Sequence, residues 1–305
     1  MTGSRSARDL EYSPSSCIGS IDVELDRYAT ASRAAAELPH RRIVSGGGTG
    51  TTDGTDDREG LIVFEGPAGS PLHVFVHGGY WQALSAADSL APAPELVSAG
   101  WSYAAVDYTL APRATIGQQI EQCVRAVQHV VDELRPAALV LSGSSAGAHL
   151  AAHVAHRAAT TDAGFTIDRL VLLSGIYDLR PLVTTYVNDA LGLDIAAAVV
   201  WSVPLTPRPA PEVLVLHGEF ETAAFKAQSA RVAAVWEVPV VEVIGRNHFD
   251  LVHDLASIDL RLGLPGAAGA DESEAAHAAS SLLARVERPG APRRLAPGVM
   301  HLGTP

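Results

Sequence analysis

Gly143-Ser144-Ser145-Ala146-Gly147 has the form G-x-S-x-G, which sets one serine between two residues without side chains. A serine hydroxyl becomes a nucleophile when a sharp strand-to-helix turn presents it and a base takes its proton. Side chains two positions either side of that serine would collide with neighbouring backbone, and Gly143 and Gly147 remove them. The turn also aims the first N–H groups of the following helix at charge developing beside Ser145 Oγ. Such a serine needs a base, an orienting acid and a pair of N–H donors for an oxyanion. His248 is the best base, because Gly245-Arg246-Asn247-His248-Phe249 directly follows an apolar run at 240–244. The acid is expected after the run at 213–216, where His217-Gly218-Glu219-Phe220-Glu221 offers Glu221 or Glu219. Asp178 is the rival, and its plainer role is a cap or turn residue. His77-Gly78-Gly79-Tyr80-Trp81 follows Val74-Phe75-Val76 and supplies the other half of the oxyanion site. The donors are the N–H groups of Gly79 or Tyr80, together with that of Ala146.

These residues need a frame that brings several strand ends together. Apolar runs at 61–64, 72–76, 102–106, 137–142, 170–173, 213–216 and 240–244 read as strands, and most are separated by segments of helical period. From Ile116, apolar residues recur at Ile120, Cys123, Val124, Val127, Val131 and Leu134, with Thr115 and Gln118 in the form of a capping box. Phe225, Ser229, Val232 and Trp236 form another stripe, and residues 20–37 read as a helix with apolar Ile21, Val23, Leu25 and Ala35. Strands alternating with helices imply an α/β fold with a mostly parallel central sheet, flanked by helices on both faces. Function in such sheets collects at the carboxyl ends of the strands. The order strand–HGG, strand–GxSxG–helix, acid, then strand–loop–His is that of an α/β-hydrolase fold.

Composition bounds the rest. The chain has 305 residues, 47% apolar and 18% charged, enough for one sizeable core over residues 20–287. Residues 1–19 are polar and expected to be loose. Residues 45–60 form a Gly/Thr-rich loop, a weak helix is expected at 272–287, and a Pro/Gly/Arg tail at 288–305 is expected to be disordered. The net charge of −12 disfavours nucleic acid and anionic membrane as partners. No run is long enough for a membrane span, and the polar start has no signal-peptide core. Cys17 and Cys123 read as free thiols, so a cytoplasmic protein is expected, and a homodimer is compatible with the sequence. His149, His153 and His156 share a helix face at metal-ligand spacing, but no carboxylate or cysteine joins them, so they read as packing or surface residues. His77 reads as a loop anchor.

Longer blocks carry a family resemblance over roughly residues 11–256. In order they are Tyr12-Ser13-Pro14-Ser15-Ser16; HGGYW at 77–81 followed by Gln82; YTLAPRATI at 108–116; GSSAGAHL at 143–150; SGIYDL at 174–179; Gly218 to Glu221 with Phe225, Gln228 and Ser229; and His248-Phe249. Together they resemble the kynurenine formamidases (arylformamidases) of the α/β-hydrolase superfamily. One position departs from the family's pattern: aspartate is usual where this chain has Glu221, whose carboxylate lies one methylene further out. The resemblance implies hydrolysis of N-formyl-L-kynurenine to the aryl amine and formate, through a formyl-enzyme, with no metal or organic cofactor. The expected partner is a small aromatic substrate. Trp81 and Tyr177, with Tyr80, are candidates for an aromatic wall. Asn188 and Arg113 are residue types that recognise a carboxylate, and the sequence does not place them at the site. A carboxylesterase acting on small aryl or short-acyl esters would use the same machinery, including in secondary metabolism. A catalytically idle ligand-binding protein on the same fold is the alternative of another class.

Overall fold

The computed structural model describes residues 6–44 and 59–264. Almost all of the Gly/Thr loop at 45–60, the helix expected at 272–287 and the tail at 288–305 lie outside the described residues. The strands are β1 (Arg41–Val44), β2 (Gly60–Phe64), β3 (Leu72–Val76), β4 (Ser102–Asp107), β5 (Leu139–Ser144), β6 (Arg169–Leu173), β7 (Glu212–Phe220) and β8 (Val240–Asn247). The helices are α1 (Ala7–Glu11), α2 (Ile21–Ala35), α3 (Ala93–Ser98), α4 (Ile116–Leu134), α5 (Ala146–Thr160), α6 (Asn188–Leu191), α7 (Ile195–Val200), α8 (Ala223–Trp236) and α9 (Leu255–Leu262).

Strand order is β1-β2-β4-β3-β5-β6-β7-β8. The β1–β2 and β2–β4 pairs are antiparallel, and every pair from β4 onward is parallel. The mostly parallel sheet expected from the alternation is therefore present. Successive side chains in a strand point to opposite faces, and the two cores follow that rule. Val74 and Val76 join the layer containing α4, α5 and α8, whereas Phe75 joins the layer containing α3 and α9. The box at the start of α4 forms as expected, with Thr115 Oγ1 accepting from Gln118 N at 3.3 Å and Gln118 Oε1 accepting from Thr115 N at 2.9 Å. Fully buried His73 on β3 bridges Asp259 of α9 and Ser142 of β5, tying the last described helix to the sheet.

Two elements differ from expectation. β1 was not foreseen, because only Ile43 of Arg41–Val44 is buried and its charged neighbours suit an edge strand. Residues 6–19, expected to be loose, are built into the molecule. Ser6 and Asp9 close a capping box on α1, and Tyr12 is buried against Phe225 of α8, ring centroids 6.1 Å apart. Thr222 Oγ1 donates to Glu11 O at 2.6 Å, and Ala224 N donates to Glu11 Oε2 at 3.0 Å. α2 buries Glu24, Tyr28, Ser32 and Ala35, while Ile21, Val23 and Leu25 of its apolar pattern stay largely exposed. No helix among the described residues is long and apolar enough to cross a membrane.

Candidate active site

Strand register brings the candidate residues together. Val76 at the end of β3 pairs with Gly143 of β5, so the His77-Gly78 loop and Ser144-Ser145 leave the sheet side by side. Ser144 pairs with Leu173, and Leu173 with Leu216, which sets Ser174 next to the end of β7. After a bulge between Gly218 and Phe220, Phe220 pairs with Asn247. Glu221 and His248 are the next residues on each strand, and so they meet.

Ser145 sits on the turn between β5 and α5 with φ 57° and ψ −119°, a left-handed value that L residues seldom adopt. Its N–H donates to Leu173 O at 2.8 Å, which pins the turn to β6. The glycines are required by close approach. A Cβ on Gly147 would lie 2.0 Å from Val76 O and 2.4 Å from His77 O, and one on Gly143 would lie 2.2 Å from Gly147 O. A Cβ on Gly78 would lie 3.3 Å from Ser145 Cβ, so the HGG loop packs directly on the serine. Gly79, Tyr80 and Trp81 all have positive φ, 91°, 51° and 61°. The amide of Ala146 is the first of α5 and has no intrahelical acceptor.

His248 Nδ1 donates to Glu221 Oε2 at 3.0 Å. The other carboxylate oxygen, Oε1, accepts from Ser174 Oγ at 2.5 Å and from Gly218 N at 2.6 Å. Burial raises the pKa of the Glu221 carboxyl, but the hydrogen bond and charge of His248, with the Ser174 and Gly218 bonds, outweigh it and hold the pKa below its ordinary value. The carboxylate therefore stays ionised next to the imidazole. Glu219 is engaged elsewhere, accepting from Gly245 N at 2.8 Å. Asp178 pairs with Arg180 at 2.5 Å and Arg231 at 2.9 Å, and the Arg180 hydrogen bond leads in holding its carboxyl below the ordinary value. It is the turn residue of the plainer reading.

Ser145 and His248 line one cavity of about 330 Å³. Tyr80 lines it too, held by a hydrogen bond from its hydroxyl to Tyr12 O. Two expected wall residues do not. Trp81 is wholly buried, its ring edge-on to His149 at 5.1 Å and 6.3 Å from the Tyr80 ring. Tyr177 lines a separate cleft with Asp178 and Arg231, and its ring fills the space a Gly175 Cβ would occupy. His149 and His153 both donate through Nε2 to Trp201 O, at 2.7 and 3.1 Å. His77 stacks on Tyr108 with centroids 4.2 Å apart, and Tyr108 donates to His77 O at 3.0 Å, as befits a loop anchor.

A family model of the alpha/beta hydrolase fold matches residues 73–226, just over half of the chain. The kynurenine formamidase of Danio rerio is 36% identical over 195 residues, 62% of this chain and 66% of that protein. The chain thus spans just under two thirds of that relative's length. The kynurenine formamidase of Salmo salar is 31% identical over 209 residues, 63% of this chain and 70% of that protein. The chain belongs to the kynurenine formamidase family. It is accordingly an enzyme of the hydrolase class. A candidate thioesterase from Silicibacter sp. TM1040 is similar in structure, with TM-score 0.73 and 30% identity, covering 82% of this chain and 95% of that one. An esterase of Pyrobaculum calidifontis shares the fold at TM-score 0.59 and 17% identity, covering 88% and 92%.

This kynurenine formamidase family member positions its site with residues to which the sequence assigned no role. Asn247 Oδ1 accepts from Phe249 N at 2.8 Å and Asp250 N at 3.2 Å, folding the His248 loop onto itself. Asn247 Nδ2 donates to Glu24 Oε1 at 3.1 Å, and Tyr28 donates to Phe249 O at 2.5 Å, so α2 clamps that loop. Gln228 Oε1 accepts from Tyr177 N at 3.0 Å and Asp178 N at 2.9 Å, fixing the chain beyond Ser174. An Asn immediately before the base was the one visible signal of the Asx turn.

Proposed function

We propose that the protein hydrolyses N-formyl aryl amines of the N-formyl-L-kynurenine type by a Ser145–His248–Glu221 triad. The observation that carries this reading is the buried Glu221–His248 pair on the same cavity as a strained serine. His248 takes the proton of Ser145 as Oγ adds to the formyl carbon. The resulting oxyanion accepts from the amides of Ala146 and of Gly79 or Tyr80, each donor contributing roughly 3 kcal/mol. His248 then delivers the proton to the aryl nitrogen, the C–N bond breaks and the free amine leaves. Water attacks the formyl ester with its proton going to His248, and formate departs as Ser145 regains its hydrogen. Glu221 holds the imidazole in one tautomer and balances the imidazolium charge. The names of the fish relatives support the substrate type.

A carboxylesterase is the second reading, favoured by the largely aliphatic and aromatic cavity wall. A comparison of kcat/KM for N-formyl-L-kynurenine and a short p-nitrophenyl ester, with Ser145→Ala as blank, separates the two. Much the higher value on the formamide is expected. Turnover of the ester alone moves the assignment to the esterase, and no fluorophosphonate adduct on Ser145 leaves the ligand-binding protein.

A further inference from the structure

Charge around the serine cavity is one-sided. Among the described residues that line it, Asp88 is the one Asp or Glu, and no lysine or arginine takes part. Asp88 ends a short turn, Ala86–Asp88, where Ser85 Oγ donates to its Oδ2 at 2.7 Å. Its Oδ1 has no hydrogen-bond partner among the described residues. Two of the polar neighbours are committed. Ser89 Oγ donates to Ser85 O at 3.2 Å, and Gln82 Nε2 donates to Val187 O at 3.3 Å. The two residues suited by type to a carboxylate are elsewhere. Arg113 lines a different cleft with Trp201, and Asn188 Nδ2 donates to Val183 O and Leu193 O.

The geometry points to Asp88 as a residue that sorts substrates by charge: the cavity accepts an aryl amide bearing an ammonium ion, or no charge, and turns away one bearing only a carboxylate. This rests on the arylformamidase reading for the reaction and adds the class of side chain the aryl ring carries. An ammonium beside Oδ1 gains a charge-assisted hydrogen bond. A carboxylate brought into the same apolar enclosure loses water, finds no cation and meets like charge. A zwitterionic amino-acid side chain falls between these two.

Three ortho-formamido aryl ketones test the idea, ending in an amine, a carboxylate or a methyl group. Their kcat/KM values are measured alongside calorimetric Kd values for the three free aryl amines, which do not react. The expected order is amine, neutral, acid, with about a tenfold or larger gap between the ends. Asp88→Asn should shrink the gap severalfold, and Asp88→Glu should retain it, melting temperatures confirming that each variant is folded. An acid that binds as well as the amine overturns the inference, as does an Asp88→Asn protein with an unchanged gap. If the Kd order holds while no formamide is cleaved, the proposed reaction fails and the charge selection stands.

Discussion

At the scale of single residues, the Glu221 carboxylate divides its oxygens between His248 on one side and Ser174 with Gly218 on the other. A shorter acid cannot span both sets without movement of the loop. Glu221→Asp should lower kcat about tenfold with little change in KM, and Glu221→Gln roughly 10²–10⁴-fold, since the amide misorients the imidazole. Steady-state kinetics at neutral pH checks both. Burial also governs His153, which is lowered from 6.5 to about 4. The folded state therefore resists its protonation, and the unfolded chain binds the proton first as pH falls. Stability is intact above about pH 6.5 and is lost progressively toward pH 4, by about 3 kcal/mol from this group. His153→Gln keeps a donor for Trp201 O and should flatten that acid limb in urea titrations at pH 7 and pH 4.5. Equal slopes for both proteins would sink the assignment.

Among elements, the junction of β3, β5 and α5 has the least room. Gly147→Ala drives a methyl group into the carbonyls of Val76 and His77, both backbone and unable to swing away. The variant should lose about 3 kcal/mol or more in denaturant titration, or fail to accumulate as folded protein. Much of this junction was legible in the sequence, because G-x-S-x-G states a steric requirement that any fold must meet. The position of His248 was legible for a related reason: the expected base follows a late strand, and His248 lines the cavity that Ser145 lines. The acid was left among Glu221, Glu219 and the rival Asp178, and the meeting of Glu221 with His248 follows a bulge between Gly218 and Phe220 that no residue type announces. The two aromatics of HGGYW were indistinguishable in sequence, since side-chain direction there depends on left-handed backbone angles rather than on a helical or strand period. The second role of α2 was hidden as well. Its obvious apolar residues Ile21 and Leu25 face the cavity, while Glu24 and Tyr28 hold the His248 loop.

For the molecule as a whole, the leading segment and the catalytic frame form one unit. Residues 12–28 contribute Pro14, Ser15, Ile21, Leu25 and Tyr28 to the cavity wall, and Tyr12 anchors both Tyr80 and Phe225. Deleting residues 1–19 should raise KM for an aryl substrate about tenfold or more, while a small fluorophosphonate still labels Ser145. Wild-type KM in the truncated protein would show that the segment has no part in binding. That so polar a segment has a fixed place follows from a few contacts, Tyr12 above all, which composition averages away. The same segment bears Cys17, which is exposed, whereas Cys123 is enclosed in the core, where burial raises its thiol pKa. In native buffer a disulfide reagent should therefore consume one thiol per chain quickly and the second only after denaturation. A fluorophore attached at Cys17 would sit three residues from Pro14 at the rim of the cavity, a built-in address from which emission could report each arrival and departure of a ligand.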